Sequence, residues 1–296
     1  MATGCPSMAF ESQGRGGGYS WRRGLVETLL DHAYLGEWPA KLWGLTARSE
    51  RVRAVRLEVE ADIAEPLRVA FASDLHLGPT TSKETLDRAF SILEDWQPDV
   101  LLLGGDYVFL HATAEKAREL ARRVSRVGAA SAFAVLGNHD LWSTHGYLEE
   151  ALGGAGAHVL VNASVRLPGP HGGVAIVGID DPWTGSPDVA RAFAGAEDAG
   201  AILVLCHAPE GLPLCSGRAF DLFLCGHTHG GQIATPFGAP VVPGRVGRRL
   251  VSGEHETHWG RAIVSRGVGA TELPIRAWAS PDVVLVDVIS SRRSGK

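Results

Sequence analysis

The pattern of apolar and polar residues changes its period along this chain and predicts where the strands lie. Residues 54–60 (AVRLEVE) alternate between apolar and polar, which predicts a strand with one exposed face. Six continuous apolar runs follow, and each has the length of a strand that is buried on both faces. These runs occupy residues 67–73, 99–105, 132–137, 174–179, 201–206 and 222–226.

Helical stretches are predicted between several of these runs. One begins at Thr81, where Thr81 and Glu84 form a capping box ahead of apolar residues at helical spacing. A second is predicted over residues 113–127, and a short third begins at Ser186, with Pro187 in its first helical position. Buried strands that alternate with helices indicate an α/β domain.

The first 50 residues stand outside this alternation and are predicted to form an N-terminal extension. Residues 1–20 are rich in Gly and Ser, and we expect them to be disordered. Within residues 24–44, apolar side chains at helical spacing predict an amphipathic segment. Two interpretations of this segment stay open: it packs on the main domain, or its Trp and Leu side chains contact a membrane or lipid.

Composition and charge restrict the classes of function. The chain has 296 residues, of which 45% are hydrophobic, and this suffices for one large domain over residues 51–290 with a short tail at 291–296. The net charge of −5 is unlike that of a sequence-independent nucleic-acid binder, so no nucleic-acid partner is expected. No run reaches the ~18 apolar residues of a membrane span, and the N-terminus lacks the apolar stretch of a secretory signal. We therefore expect a cytoplasmic protein, which would lie on the inner face of the membrane if residues 24–44 contact lipid.

Five of the apolar runs end in side chains that commonly bind metal ions. These side chains are Asp74, His76, Asp106, Asn138, His139, Asp140, His207, His227 and His229. In open α/β sheets, ligands bind outside the carboxyl ends of the strands, so these residues would meet at one edge if their strands share a sheet. Burying so many ionisable groups without a cation would be costly, which favours a metal site. The mixture of carboxylate, amide and imidazole suits Mn²⁺, Fe or Zn²⁺ better than Ca²⁺ or Cu.

A site for two metal ions would need one carboxylate that bridges them. Asp106 is the natural bridge because it stands alone after its strand. A water held between two metals ~3.5–4 Å apart would be acidified into a hydroxide nucleophile. The metals would also neutralise the charge that builds up on phosphoryl oxygens.

The order of these residues resembles that of the calcineurin-like metallophosphoesterases, over roughly residues 54–290. The matching blocks are SDLHLG (73–78), GGDYV (104–108), LGNHD (136–140), CHAPE (206–210) and CGHTHGGQ (225–232). Residues 177–183 and 250–276 further resemble a bacterial subgroup of phosphodiesterases of the YkuE and YaeI type. That subgroup also holds a lipid A pathway enzyme that cleaves UDP-diacylglucosamine. The resemblance implies an α/β fold, a four-layer α/β/β/α sandwich with two mixed β-sheets and the metals at the strand ends.

The resemblance also implies a role for each site residue. The first metal would be held by Asp74, His76, Asp106 and His229. The second metal would be held by Asp106, Asn138, His207 and His227. His139 would stabilise the phosphoryl oxygens or protonate the leaving group, with Asp140 as its orienting partner. The cofactors would be two divalent ions, with Mn²⁺ favoured over Fe and Zn²⁺.

The implied activity is hydrolysis of a phosphate ester, with a phosphodiester favoured and a lipid-linked or nucleotide-lipid pyrophosphate as one form of it. A non-catalytic binding scaffold of the same fold is the main alternative, but a scaffold would be expected to lose His139 or a metal ligand. A phosphomonoesterase and a nuclease are the others, and the lack of interleaved aromatic and basic residues disfavours the nuclease. Among the remaining polar residues, Arg266 and Arg276 are candidates for contact with substrate phosphate, whereas Asp180 and Asp181 are expected to be structural.

Overall fold

The computed structural model describes residues 14–35, Trp38 and residues 51–291. The strands in chain order are β1 (Arg53–Ala61), β2 (Leu67–Ala72), β3 (Val100–Leu103), β4 (Ser131–Ala134), β5 (Ala157–Val159), β6 (Ala163–Arg166), β7 (Val174–Gly178), β8 (Ala201–Leu205), β9 (Leu222–Cys225), β10 (Gly253–Thr257), β11 (Gly260–Val264) and β12 (Asp282–Ser290). The helices are α1 (Trp21–Ala33), α2 (Lys83–Trp96), α3 (Ala114–Val127), α4 (Asn138–Trp142), α5 (Gly146–Gly154) and α6 (Val189–Phe193). All six apolar runs of the sequence are strands, and the alternating stretch before them is β1.

The strands form two six-stranded sheets, and both sheets are mixed. The first has the order β1-β12-β2-β3-β4-β5, in which β2 to β5 are parallel and β12 runs antiparallel to β2. The second has the order β10-β11-β9-β8-β7-β6, with a parallel centre and antiparallel strands at both edges. The predicted α/β fold with two mixed sheets is confirmed.

The two sheets pack face to face, and helices cover their outer faces. Phe71 and Phe133 of the first sheet meet Leu203 of the second in the core between the sheets. Apolar side chains of α2, α3 and α5 pack on the outer face of the first sheet, and Phe193 of α6 packs on that of the second. The layers therefore follow the order α/β/β/α, and the parallel strands of both sheets direct their carboxyl ends to one side of the molecule.

Two helix starts differ from their predictions. Helix α2 is capped by Ser82, whose hydroxyl accepts from the backbone N–H of Thr85, and not by Thr81. The hydroxyl of Thr81 instead accepts from the backbone N–H of Ala270, a residue far away in the sequence, so it does not cap the helix. Helix α6 begins at Val189 after an Asp188 cap, later than the predicted start at Ser186. The predicted helix over residues 113–127 is confirmed, with Thr113 as its cap.

The N-terminal segment, residues 14–35, lies along the domain. Its residues 14–20 belong to the stretch for which we expected disorder, yet Gly16 donates to the carbonyl of Leu141 and Gly17 to that of Thr184. Helix α1 ends at Ala33, before the end of the predicted amphipathic segment, and residues 36–37 and 39–44 of that segment lie outside the described residues. In the described part of the chain no helix is long and apolar enough to cross a membrane.

The two sides of α1 have different surroundings, and each bears on one interpretation of the amphipathic segment. One side of the helix packs on the domain, where half-buried Leu30 and buried Tyr34 meet Phe109 and Leu110. The other side is open to solvent. Its large apolar side chains include Trp21, Leu25, Val26 and Leu29, which are 62%, 43%, 41% and 60% exposed.

Candidate metal centre

The predicted metal ligands converge from two sheets and not from one. Asp74, Asp106 and Asn138 follow β2, β3 and β4 of the first sheet, whereas His207 and His227 follow β8 and β9 of the second. The two groups meet because the ends of the facing strands touch. His207 Nδ1 donates to the carbonyl of Gly104 at 2.9 Å, and the backbone N–H of His227 donates to both carboxylate oxygens of Asp74 at 3.1 Å.

The first cluster of ligand atoms consists of Asp74, His76 and His229. The Nε2 atoms of the two imidazoles lie 3.1 Å apart, and Nε2 of His229 is 3.4 Å from Oδ1 of Asp74. All three side chains are buried. One ligand atom from each lies within 4.8 Å of the others, which is close enough to hold one metal ion.

The second cluster consists of Asp106, His207 and His227, with Asn138 beside it. Nε2 of His207 is 3.3 Å from Oδ2 of Asp106, 3.1 Å from Nδ1 of His227 and 3.2 Å from Oδ1 of Asn138. The same carboxylate oxygen of Asp106 is 3.7 Å from Nε2 of His76 in the first cluster. Asp106 therefore lies between the two clusters.

The chemistry of these donors fits divalent metal ions. Two pairs of ring nitrogens face each other at 3.1 Å, and one hydrogen bond is the most that each pair can make. Nδ1 of His76 and Nε2 of His227 are buried without a hydrogen-bond partner. Donor atoms around a metal with bonds of ~2.0–2.2 Å are separated by about this distance, so a cation would satisfy nitrogens that the protein leaves facing one another.

The backbone of the site is strained at most of the predicted ligands. Positive φ angles are found at Asp74 (53°), His76 (45°), Asp106 (54°), His227 (69°) and His229 (52°). This left-handed region is unfavourable for residues other than Gly and costs on the order of 1–3 kcal/mol each. Strain of this kind persists where the surrounding structure fixes it, and it is typical of functional sites.

Burial and mutual interaction set the charges of these groups. Burial acts to raise the pKa of Asp106, but His207, His139 and His76 together hold it well below the usual value. Burial, followed by the effect of His207, lowers the pKa of His227 to about 3. Burial also raises the pKa of Asp74. Burial acts to lower the pKa of His207, but Asp106 holds it well above its usual value. The site without metal therefore favours a proton on His207, which a bound metal ion would displace.

The carboxylate of Asp140 makes its hydrogen bonds to backbone groups of two loops. Oδ1 of Asp140 accepts from the backbone N–H groups of Tyr107 and Val108 at 2.9 and 3.3 Å, and Oδ2 accepts from that of Gly137 at 3.0 Å. The carboxylate thus ties the loop after β3 to the loop after β4. Burial raises the pKa of Asp140 to about 8.

The ring of His139 contacts two residues that the sequence did not indicate. Its Nδ1 lies 3.3 Å from Nη2 of Arg23, and its Nε2 lies 3.4 Å from Oγ1 of Thr271. Arg23 is 116 positions away from His139 and belongs to α1. No spacing rule connects residues so far apart.

The other polar residues singled out in the sequence are engaged by the protein. Every polar contact of the buried Arg276 guanidinium is with the backbone of residues 229, 269 and 279 or with Nδ1 of His229 at 3.0 Å, so it holds the His229 loop. Arg266 donates to Asp282 at 3.1 Å. Asp180 and Asp181 have the structural roles expected of them: the first pairs with Arg15 at 2.6 Å, and the second caps the turn that follows it.

Known proteins resemble this chain in both sequence and fold. The sequence profile of the calcineurin-like phosphoesterase family matches residues 67–231. Phosphodiesterase YaeI of Escherichia coli (strain K12) is 30% identical over 241 residues, which cover 79% of this chain and 86% of that protein. Metallophosphoesterase YkuE of Bacillus subtilis (strain 168), itself uncharacterized, is 26% identical over 222 residues, which cover 74% of this chain and 78% of that protein.

The fold also resembles a solved structure, the 5′-nucleotidase precursor of Thermus thermophilus. The TM-score is 0.43 at 19% identity, over 69% of this chain and 50% of that one, so this chain spans half the length of that protein. The matched residues of the family profile include both ligand clusters, from Asp74 to His229, and exclude Arg23. The chain therefore belongs to the calcineurin-like phosphoesterase family and is a hydrolase of phosphoric esters.

Proposed function

We propose that this protein is a phosphodiesterase that works with two divalent metal ions bridged by Asp106. One observation carries the proposal: the same carboxylate oxygen lies 3.3 Å from Nε2 of His207 and 3.7 Å from Nε2 of His76, between the two clusters. The first metal would be held by Asp74, His76, Asp106 and His229. The second would be held by Asp106, Asn138, His207 and His227.

The bound metals would supply a water-derived nucleophile and Lewis acidity toward the phosphoryl oxygens. Mn²⁺ suits the mixture of oxygen and imidazole donors best, with Fe and Zn²⁺ as alternatives. The chain itself contributes the fixed positions of these donors. Asp106 is held in place because its Oδ1 accepts from the backbone N–H of His139 at 2.9 Å.

His139 acts on the phosphoryl group or on the leaving group. A guanidinium only donates hydrogen bonds, so Arg23 at Nδ1 assigns the proton of the neutral ring to Nε2. Burial lowers the pKa of His139 to about 3, which keeps the ring neutral. A neutral imidazole with its proton on Nε2 can donate to a phosphoryl oxygen or to the departing oxygen.

The diester preference and a lipid-linked substrate are the finer parts of the proposal. The E. coli relative is named a phosphodiesterase, which supports a diester. The open side of α1 supports a lipid, because its exposed Trp21, Leu25 and Leu29 form an apolar strip on the helix that carries Arg23. An acyl chain or a membrane surface against this strip would leave the protein peripheral on the membrane.

Hydrolysis assays on the metal-depleted and reconstituted full chain test this function. Bis-p-nitrophenyl phosphate should be hydrolysed when Mn²⁺ is restored and should be untouched in excess chelator. A panel of monoesters, diesters, single-stranded nucleic acid and nucleotide-lipid pyrophosphates then ranks the substrate classes. Metal binding without turnover of any substrate would overturn the proposal in favour of a binding scaffold.

A further inference from the structure

The N-terminal segment brings a cation to His139 from outside the part of the chain that matches the family. Arg23 of α1 places its Nη2 3.3 Å from Nδ1 of His139, while its Cζ lies 5.0 Å from the centre of the Trp142 ring. Its Nε donates to Glu27 at 2.7 Å, and its Nη1 donates to Glu272 at 2.6 Å. Among the described residues, these contacts use three of the five N–H groups of the guanidinium, one on each of its nitrogens.

The protein also fixes the segment that carries this guanidinium, through contacts at Arg15 and Gly17. Trp142, which underlies Arg23, donates its indole N–H to the carbonyl of Gly17 at 3.0 Å. Arg15 makes a two-pronged ion pair with Asp180, with distances of 2.6 and 2.7 Å. The N-terminal segment is therefore attached to the domain at two points before α1 begins. These attachments help to hold Arg23 in position before any substrate binds.

Glu272 reaches the same place from the loop that follows β11. Gln232 holds this loop, because its side chain accepts from the backbone N–H of Thr271 at 3.0 Å and donates to the carbonyls of Thr271 and Leu273. Glu272 has a positive φ of 51°, as most of the predicted metal ligands do. A non-Gly residue in this region is strained, and the strain is typical of a side chain that is held for function.

The carboxylate of Glu272 lies near His139, with the guanidinium of Arg23 between them. It is bonded to one nitrogen of the guanidinium whose other nitrogen faces His139, so a single planar group separates it from that ring. Burial acts to raise the pKa of Glu272, but His139, Arg23 and a hydrogen bond from Thr271 lower it below the usual value. Glu272 is therefore ionised at neutral pH, at the edge of the space where the substrate phosphate would lie.

The charges around this point are unbalanced. One guanidinium, Arg23, is paired with two carboxylates, Glu27 and Glu272. The group as a whole is negative, although Nη2 of Arg23 faces His139. A phosphomonoester carries a charge near −2 at neutral pH, whereas a phosphodiester carries −1. The diester gains the same hydrogen bonds from Arg23 and meets less repulsion from Glu272.

On the basis of the proposed function, we infer that the Arg23–Glu272 pair recognises the substrate and selects phosphodiesters over phosphomonoesters. Arg23 donates to a non-bridging phosphoryl oxygen next to His139. Glu272 orients Arg23 and repels the second negative charge of a terminal phosphate. The N-terminal segment is thus a substrate-binding element of this chain, and the family core alone does not contain the complete site.

The test compares bis-p-nitrophenyl phosphate with p-nitrophenyl phosphate, which share a leaving group and differ in phosphate charge. For each variant the ratio of kcat/KM for the diester to kcat/KM for the monoester is measured in the metal-reconstituted full chain. Glu272→Gln should lower this ratio about 10-fold, mainly through a gain on the monoester, because it removes one charge near the phosphate. Arg23→Gln should lower both activities and raise the ratio, because it leaves the carboxylates uncompensated.

Opposite shifts of the ratio separate recognition from a general structural effect. Loss of a merely structural contact would lower both activities and would move the ratio the same way in both variants. The double variant should return the ratio toward that of the wild type, because the two charges act on each other. Arg15→Gln is the matched control, since it weakens the attachment of the same segment without changing the charge near His139, and its ratio should equal that of the wild type.

The inference is overturned if Glu272→Gln leaves the ratio within about 2-fold of the wild type, or if Arg15→Gln reproduces the shift of Arg23→Gln. Thermal unfolding and metal content check that each variant is folded and loaded. Should Arg23→Gln fail to fold, the result for Glu272→Gln decides alone, because that substitution keeps the size of the side chain. A wild-type protein that hydrolyses neither substrate would instead count against the proposed function itself.

Discussion

The metal centre and the N-terminal segment both contribute to the site, but different parts of the fold position them. The predicted metal ligands follow parallel strands, and the ends of two facing sheets bring them together. Arg23 belongs to a helix outside both sheets, and ion pairs with Glu27 and Glu272 hold it in place. The core therefore holds the predicted metal ligands, and we infer that the N-terminal segment affects which phosphate reaches them.

The largest expected effect is at the bridge between the two metals. Asp106→Asn removes a negative charge that both ions need while it keeps the shape of the side chain. We expect bound metal to fall and diester hydrolysis to drop by more than ~10³-fold, since both the nucleophile and the charge stabilisation depend on the metals. Steady-state rates with added Mn²⁺ measure this. A wild-type rate in this variant would contradict the two-metal assignment. It would also contradict the role inferred for the N-terminal segment, which depends on that assignment.

His139 lies where the core meets the N-terminal segment, and its substitution separates metal binding from catalysis. His139→Ala should keep both metals and lose about 10²–10⁴ in rate, which is the usual contribution of a positioned acid or base. Metal analysis and turnover are measured on the same preparation. The loss should shrink for esters with better leaving groups if His139 protonates the leaving oxygen. Complete loss of metal in this variant would show that His139 is a ligand.

A smaller effect is expected where the backbone packs against the bridge. A Cβ atom on Gly137 would lie 2.2 Å from Oδ1 of Asp106, so Gly137→Ala must displace the carboxylate or the loop. We expect a loss of about 1–3 kcal/mol in the free energy of unfolding, the usual cost of overpacking, together with weaker metal binding.

Gly153→Ala on α5 is the matched control for this prediction. A Cβ atom there meets nothing within 4 Å, and the substitution should be neutral or slightly stabilising. Denaturant unfolding of the metal-free proteins measures both variants. Equal stability of the two would contradict the close packing around Asp106.

The smallest effect on the chemistry is expected on the open side of α1. Changing Trp21, Leu25 and Leu29 together to Ser removes the apolar strip while Arg23 stays in place. Co-sedimentation with liposomes should be lost, because membrane binding scales with buried apolar area. Hydrolysis of the soluble diester bis-p-nitrophenyl phosphate should stay within about 2-fold of the wild type. Leu214→Ser is the control, since this apolar side chain is 46% exposed on another part of the surface. Unchanged liposome binding in the triple variant would contradict a lipid-facing role for α1.

The same contrast explains what the sequence revealed and what it did not. The strands could be predicted because each is a continuous apolar run, and the ligands because each follows such a run. The starts of α2 and α6 were misplaced. At α2, the hydroxyl of Thr81 accepts from the backbone N–H of Ala270, a contact between distant parts of the chain. Such contacts leave no local pattern.

The hydrogen-bond partners of Asp140 could not be predicted for the same reason. Its partners are backbone N–H groups of the loops after β3 and β4, and backbone groups carry no residue-specific signal. Arg23 and Glu272 are separated by 249 positions and meet only in the folded chain. The sequence therefore predicted the residues that form the two clusters, and it missed Arg23 and Thr271, which contact the ring of His139.

The number of metal ions per chain tests the central claim most directly. Wild-type protein reconstituted with Mn²⁺ and freed of excess metal should contain two ions per chain, bound at sites that both weaken in Asp106→Asn, because this one carboxylate lies between His76 and His207. Diester hydrolysis should appear only as the second ion binds. One ion per chain at full activity, or two ions that Asp106→Asn leaves undisturbed, would contradict the account.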